Sequence, residues 1–259
     1  MPIIDVHAHI FPERIAQKAT DSIGQFYGAP MAGDGQLDTL LRYDGIARFV
    51  VHSVATTPEQ VGSINRFVAD SVSAHPDRLA GFMTLHPGLK DIAGEMERAA
   101  ELGLIGVKLH PDFQLFALDS PEAYRIYEVI EGRFPLLIHT GDSRYHFSNP
   151  KRVPPVMRDF PELKMICAHF GGYSEWDEAE RHLVGLENVW VDTASSLFVL
   201  GDERAKALIE RFGTDRVMFG SDFPMWSPEQ EAQRIAGLGL DEAALQRVLW
   251  DNTADLLGL

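Results

Sequence analysis

The stretch "IIDVHAHIF", Ile3–Phe11, combines a β-branched apolar run with two histidines spaced two residues apart. Alternation of this kind predicts a strand, and in a strand residues i and i+2 point to the same face. His7 and His9 therefore lie side by side, either as half of a metal site or as two packed histidines. Asp5 has two interpretations as well. It accepts a hydrogen bond from a metal-binding histidine ring, or it is a buried carboxylate that holds the floor of the fold together.

Seven further strand-like runs follow along the chain, separated by longer amphipathic patterns that are typical of helices. The predicted strands are Ile3–His9, Ala47–Val54, Leu79–Leu85, Ile105–His110, Leu136–His139, Lys164–His169, Val189–Asp192 and Arg216–Ser221. The predicted helices include Pro58–Ala74, Lys90–Leu102, Pro121–Gly132 and Asp202–Phe212. Strands that alternate with helices indicate parallel βαβ units. Eight such units in 259 residues favour a (β/α)8 TIM barrel over a doubly wound open sheet, and without any linker segment we expect a single domain, residues 1–259.

Composition narrows the classes of partner. A net charge of −15 argues against nucleic acid or an anionic membrane as a binding surface. The single cysteine, Cys167, excludes an intrachain disulfide and fits a reducing compartment. The N-terminus shows no signal-peptide pattern, and no apolar run approaches the roughly 20 residues of a membrane span. We therefore expect a cytoplasmic protein whose partner is a small molecule.

Histidines or a carboxylate stand at the ends of five predicted strands. The endings read "DVHAH", "GVKLHP", "LLIHTG", "ICAHFGG" and "MFGSDFP". In a β/α barrel the C-terminal ends of the strands meet at the face that carries active sites. Imidazole and carboxylate are ligands of Zn²⁺ and similar ions. The joint pattern predicts a metal site formed by His7, His9, His139 and Asp222, with water in an open position.

These motifs, with "FPELKMICAHFGG" and the terminal "NTADLLGL", resemble the amidohydrolase superfamily, and within it the branch that contains aminocarboxymuconate-semialdehyde decarboxylase. The resemblance covers Ile3 to Leu259. It implies a (β/α)8 barrel with one or two divalent metals at the C-terminal mouth. Carried over by motif, it implies the same four metal ligands, with His169 beside the metal-bound water or the substrate.

The fourth strand departs from the two-metal members of the family, in which a lysine at its end becomes a carbamate bridge. Lys108 is near that place, but His110 follows two residues later on the same face and closer to the mouth. We therefore expect one divalent ion, Zn²⁺ before Mn, Fe or Co, and no second metal. Lys108 and His110 are then expected to face the substrate.

These residues predict hydrolysis of an ester, lactone or amide of a small carbonyl compound. Bound metal lowers the pKa of water toward about 7, Asp222 would accept the proton, and His169 or Lys108 would help to stabilise an oxyanion. The alternative is a metal-dependent, non-oxidative decarboxylase of an aromatic or unsaturated carboxylic acid. A binding protein without catalysis is a third class, against which Asp222 and His169 argue.

Two long connections, Phe11–Gln36 and Thr140–Pro155, follow the first and fifth strands. Long loops at this face of a barrel are often functional, and we expect a small helix or flap in the first. In the second, Arg144 and His146 are candidates for binding a substrate carboxylate or are simply solvated charges. Trp226 is a candidate wall for an apolar substrate or a cover of the core. The resemblance is also compatible with a homodimer.

Overall fold

A computed structural model describes residues 1–259 and shows eight parallel strands whose order in the sheet follows the chain. The strands are β1 Ile4–His9, β2 Arg48–His52, β3 Leu79–Thr84, β4 Gly106–Leu109, β5 Leu136–Ile138, β6 Met165–Cys167, β7 Val189–Asp192 and β8 Val217–Met218. The eight predicted strands are thus confirmed, and so is the single-sheet barrel. The predicted strands extend beyond several observed ones, because the chain leaves the sheet ladder before it reaches the polar residues of the mouth.

Twelve α-helices connect and cover the strands. They are α1 Glu13–Tyr27, α2 Leu37–Leu40, α3 Val61–Ala74, α4 Ile92–Glu101, α5 Pro111–Gln114, α6 Pro121–Ile130, α7 Val153–Asp159, α8 Trp176–Leu183, α9 Leu197–Phe212, α10 Pro228–Gly237, α11 Glu242–Gln246 and α12 Asn252–Leu257. Short 3₁₀ turns cover Pro58–Gln60 and Pro150–Arg152, and a π-helical turn covers Arg247–Asp251. The helix expected in the first long connection is α1. None of the helices combines the length and apolarity that a membrane crossing requires.

Contacts between β1 and the segment from β8 onward close the barrel. Val6 N–H donates to the carbonyl of Phe219 at 2.9 Å, and His9 N–H donates to the carbonyl of Phe223 at 2.7 Å. Asp222 N–H donates to the carbonyl of His7 at 2.8 Å. The closure therefore ties the backbone of the "DVHAH" motif directly to that of the "GSDFP" motif.

The pairing of β1 with β2 shifts between Asp5 and Ala8, where β1 carries one extra residue. A bulge of this kind changes the face to which the following side chains point. Ile4 and Val6 consequently pack into the small interior cluster of the barrel, whereas Ala8 belongs to the outer core. The bulge lets His7 follow these interior residues and still face the mouth.

The floor of the barrel is an apolar cluster of nine buried residues. Its members are Ile4, Val6, Val50, Ala80, Phe82, Leu137, Ile166, Ala168 and Met218, and Trp250, Leu256 and Leu257 from the C-terminal segment pack against them. Gly106 makes room for the largest member, because a Cβ at Gly106 would lie 2.4 Å from Cε1 of Phe82. A second cluster of 49 buried residues fills the space between strands and helices.

Asp5 belongs to the framework of the barrel and does not contact a histidine ring. Its Oδ1 accepts hydrogen bonds from the backbone N–H groups of His7 and Ser221, each at 3.0 Å, and its Oδ2 accepts one from Ser221 Oγ at 2.5 Å. Of the two interpretations of Asp5, the structure supports the one in which it ties strands together.

Candidate active site

Three of the predicted metal ligands converge at the mouth of the barrel. His7 Nε2 lies 3.3 Å from His9 Nε2, and Asp222 Oδ1 lies 3.4 Å from each of these nitrogens. Atoms bound at about 2.0–2.2 Å to a tetrahedral ion are roughly 3.3–3.6 Å apart. The spacing of these three atoms therefore fits one divalent cation.

The orientation of His7 supports the same conclusion. His7 Nδ1 donates to Asp192 Oδ2 at 2.7 Å, which leaves Nε2 without a hydrogen; Nε2 faces His9 and Asp222, and also Lys108 Nζ at 2.9 Å. Asp192 is the last residue of β7 and is fully buried. A carboxylate behind a histidine ring is the usual outer support of a metal-binding imidazole, because it fixes the tautomer and raises the basicity of the ligand.

Asp222 is held from both sides. Its Oδ1 faces His7 and His9, while its Oδ2 accepts a hydrogen bond from Ser195 Oγ at 2.5 Å. Burial opposes its charge, but the attraction of His7 and the hydrogen bond from His9 outweigh burial and hold the pKa of Asp222 well below its usual range. Trp226 lies behind this pair, since its indole N–H donates to Ser195 Oγ at 2.8 Å. The carboxylate is therefore oriented with one oxygen toward His7 and His9 and the other toward Ser195.

His169 and His139 form a second pair beside these ligands. His169 Nδ1 donates to the carbonyl of Ala194 at 3.0 Å, and its Nε2 lies 3.0 Å from His139 Nδ1. A ring nitrogen of His169 also lies within 4.8 Å of the ligand atoms of His7 and Asp222. His139 Nε2 lies 3.4 Å from Asp112 Oδ2 and is buried without a hydrogen-bond partner. The structure thus brings both histidines to the mouth, His169 nearest to the ligand trio.

Lys108 lies inside the same cluster. It is fully buried in β4, and its Nζ lies 2.9 Å from His7 Nε2. Burial lowers the pKa of Lys108 to about 8, although the carboxylates of Asp192 and Asp222 act in the opposite direction. Lys108 therefore offers a hydrogen-bond donor at the centre of the site.

Three site residues have backbones in the left-handed region. His169 and Asp222 each have φ 63°, and Ser195 has φ 46°. Non-glycine residues seldom adopt this conformation, and those that do cluster at functional sites, where surrounding contacts hold them. Here the backbone N–H of His169 donates to Asp192 Oδ1 at 2.8 Å. These turns direct the side chains into the mouth after the strands have ended.

A cavity of about 690 Å³ opens above these residues. Its inner wall includes His7, His9, Lys108, His110, His139, His169 and Asp222. Its outer walls come from the segment 11–27, from α3 and from α5, with apolar side chains such as Phe11, Phe26, Phe67 and Phe113. Arg14 and Lys18 of α1 stand exposed at its rim. The cavity suits a small, largely apolar molecule that carries a negative charge.

The predicted loop residues lie elsewhere. Arg144 makes a two-pronged hydrogen bond to Asp142, with Nη2 2.7 Å from Oδ2, and its guanidinium lies 4.6 Å from the ring centre of Phe26. Its contacts hold the end of α1 rather than lining the cavity. His146 is exposed, and neither it nor Trp226 is among the cavity-lining residues. Carboxylate binding by Arg144 and His146, and a substrate wall at Trp226, stay predictions.

Sequence reasoning missed several residues of this site. Asp192 ends a predicted strand just as the histidines do, so the strand-end rule would have found it. Ser195 lies three residues further in the same turn. Tyr27 and the pair Arg14 and Lys18 come from α1, and no local pattern shows that this helix folds over the mouth.

Comparison with known proteins agrees with this geometry. Residues 4–259 match the amidohydrolase family. The gamma-resorcylate decarboxylase of a Polaromonas species is 23% identical to this chain in an alignment that covers 75% of each chain.

Solved structures share the fold over almost the whole chain. An uncharacterised TIM-barrel protein from Bordetella bronchiseptica superposes with a TM-score of 0.83 at 21% identity, covering 100% of this chain and 99% of that one. A dihydroxybenzoic acid decarboxylase from Polaromonas with bound manganese and 2-nitroresorcinol gives 0.73 at 18% identity, with 100% and 97% covered. A proposed 2-pyrone-4,6-dicarboxylic acid hydrolase from Pseudomonas putida gives 0.68 at 22% identity, with 99% and 97% covered. With its family match from end to end and its histidine–aspartate mouth, the chain belongs to the amidohydrolase family of metal-dependent TIM-barrel enzymes.

Proposed function

We propose that this protein is a metal-dependent hydrolase that cleaves an ester, lactone or amide bond of a small carbonyl compound bearing a carboxylate. The observation that carries the proposal is the position of Asp222. One of its oxygens faces the nitrogens of His7 and His9 at 3.4 Å, and Ser195 Oγ donates a hydrogen bond to the other at 2.5 Å. A carboxylate held in this way is placed to take a proton from water that attacks the substrate.

His7, His9 and Asp222 would hold one divalent ion, Zn²⁺ before Mn, Fe or Co. His139 stays the predicted fourth ligand, although its Nδ1 contacts His169 and its Nε2 faces Asp112 in this structure. Such an ion supplies a Lewis acid that polarises a carbonyl and makes water nucleophilic near neutral pH. Asp222 accepts the proton of the attacking water and later returns it to the leaving group.

His169 and Lys108 serve the substrate. Burial lowers the pKa of His169 to about 4, so its imidazole is neutral and acts by hydrogen bonding. Lys108 Nζ lies 2.9 Å from His7 Nε2, where it can donate to an oxygen that becomes negative during the reaction. Both groups act inside a buried site, where electrostatic stabilisation exceeds that in water.

The substrate class follows from the cavity. Its apolar walls, represented by Phe11, Phe67 and Phe113, favour an unsaturated or aromatic body. Arg14 and Lys18 at the rim attract an anion into a protein whose net charge is −15. A small anionic carbonyl compound meets both requirements.

Decarboxylation of an aromatic or unsaturated acid is the second candidate. It is favoured by the aromatic walls of the cavity and by the likeness to gamma-resorcylate decarboxylase. In this reaction Asp222 would have to carry a proton to carbon instead of accepting one from water.

A substrate panel in ¹⁸O-labelled water separates the two reactions. Protein loaded with Zn²⁺ or Mn²⁺ is given carboxylated aryl esters, pyrone lactones and hydroxybenzoates, and both acid formation and CO₂ release are followed. We expect a product acid that contains one ¹⁸O atom from water. CO₂ release without label in the organic product would assign the second reaction, and no turnover by loaded protein would contradict both.

A further inference from the structure

Tyr27, the last residue of α1, reaches from the outer wall of the cavity toward its polar inner wall. Its hydroxyl lies 2.9 Å from His110 Nε2, and this is the hydroxyl's single hydrogen-bond contact in the protein. The rings of Tyr27 and His139 are 6.4 Å apart. The phenol oxygen therefore lies beside His110 and near His139 within the cavity.

The tautomer of His110 follows from its place before α5. His110 is the N-cap of this helix, and its Nδ1 accepts a hydrogen bond from the backbone N–H of Phe113 at 3.3 Å. A backbone N–H can only donate, so Nδ1 carries no hydrogen. A neutral imidazole has one N–H, which must then be on Nε2. His110 is consequently the donor and the Tyr27 oxygen the acceptor in their contact.

Packing holds the His110 ring in this orientation. It stacks between the rings of Phe113 and His139, with ring centres 3.9 Å away on each side and interplanar angles of 14° and 8°. The imidazole has no room to turn over and exchange its two nitrogens. The direction of the hydrogen bond to Tyr27 is therefore built into the end of β4.

The hydroxyl hydrogen of Tyr27 is left without an acceptor in the protein. Donors in such surroundings normally find a partner, and the residue lines the cavity. Burial raises the pKa of Tyr27 well above its usual value, with the charges of Asp222 and Asp142 acting in the same direction. The phenol therefore keeps its proton and offers it to the cavity.

Arg144 fixes the helix end that carries this phenol. Its Nη1 donates to the carbonyl of Phe26, and its guanidinium lies 5.3 Å from the ring centre of Tyr27. Asp142 holds the guanidinium with two further hydrogen bonds. Gly28, with φ 63°, then ends the helix in the left-handed conformation that glycine favours.

We propose that Tyr27 is a substrate-binding residue that donates a hydrogen bond to an oxygen anion of the substrate, a carboxylate or phenolate, and that His110 sets this direction by donating to the phenol oxygen. The proposal deepens the proposed function and rests on it for the identity of the cavity as the substrate site. It assigns α1 a part in specificity, since substrates without an oxygen at this place lose the contact.

Binding of 2,6-dihydroxybenzoate to Mn²⁺-loaded protein, measured by titration calorimetry, tests the donor role. Tyr27→Phe removes only the hydroxyl, and we expect it to weaken binding about tenfold to a hundredfold, the range for a hydrogen bond to a charged group. Tyr145→Phe is the matched control, because Tyr145 stacks on Phe26 near the end of α1. Its hydroxyl makes no hydrogen bond, and the residue does not line the cavity. Equal binding by Tyr27→Phe and wild type, or no binding by wild type, would overturn the proposal.

The ¹⁵N NMR signals of His110 test the tautomer without any ligand. We expect a protonated Nε2 and an unprotonated Nδ1, in wild type and in Tyr27→Phe alike. A hydrogen on Nδ1 would reverse the contact and remove the free donor. If the protein passes both tests but turns over no substrate, the proposed reaction is wrong and the binding role of Tyr27 stands.

Discussion

The two ends of the same eight strands bury opposite kinds of side chain. At the floor, Ile4, Phe82 and Ile166 are fully buried apolar residues. At the mouth, Lys108 and Asp192 are also fully buried, although both are ionisable. Burial of apolar area stabilises a fold, whereas burial of charge costs free energy even when the charges are paired. The apolar residues of the floor therefore stabilise the fold, whereas the charged groups of the mouth cost free energy to bury.

This contrast has a direct consequence for mutation. Substitutions at the floor should reduce the free energy of unfolding and leave the chemistry of folded molecules intact. Substitutions at the mouth should above all reduce activity, and their effect on stability depends on the partners that the lost group leaves behind. The predictions below separate the two ends by measuring stability and activity on the same variants.

Asp222→Asn should have the largest effect. The variant keeps the shape of the side chain but cannot accept a proton, so we expect kcat/KM to fall by about 10²–10⁴, the usual contribution of a general base. The low pKa of Asp222 means that the folded protein stabilises its charged form, so the melting temperature should fall as well. Asp215→Asn, an exposed carboxylate just before β8, is the control and should leave both quantities unchanged. Near-normal activity of Asp222→Asn would exclude the base assigned here.

Phe82→Ala tests the floor. Removal of a fully buried phenylalanine should lower the free energy of unfolding by about 3–5 kcal/mol, measured by urea denaturation. The kcat/KM per folded molecule should not change, because the cluster lies below the site. Val199→Ala, at a side chain that is 60% exposed, should change stability by less than about 0.5 kcal/mol. A large loss of activity in folded Phe82→Ala would show that floor and mouth are coupled.

Much of this contrast is predictable from the sequence, because it follows from strand periodicity and strand ends. The alternation of strand-like and helix-like runs predicts eight parallel strands, and the C-terminal ends of parallel strands must meet at one face. His7, His9, His169 and Asp222 converge as this rule predicts. The bulge between Asp5 and Ala8 was not predictable, since it changes the side-chain direction without any turn residue to mark it.

Contacts made by the connections escape sequence reasoning for a different reason. Arg144 has a side chain suited to binding a carboxylate, but its guanidinium already hydrogen-bonds Asp142 and packs against Phe26 of α1. Tyr27 reaches the mouth only because α1 crosses it, and the path of a long connection depends on tertiary packing. Sequence spacing encodes which residues share a strand face, but not which loop folds over which strand.

Asp192→Asn sharpens the contrast by separating two buried carboxylates. Asp192 accepts from the His7 ring at 2.7 Å as well as from the backbone N–H groups of His169 and Ala194, whereas Asp5 accepts only from backbone N–H groups and Ser221. Loss of the carboxylate behind a metal-binding histidine typically weakens metal affinity or activity about tenfold to a hundredfold, and we expect that loss of Zn²⁺ affinity in competition with a chelator. Asp5→Asn should instead lower the melting temperature and leave Zn²⁺ affinity unchanged, because it removes a tie between strands and not a support of the ring. If both variants lost affinity equally, the position of the strands rather than the tautomer of His7 would control the metal site.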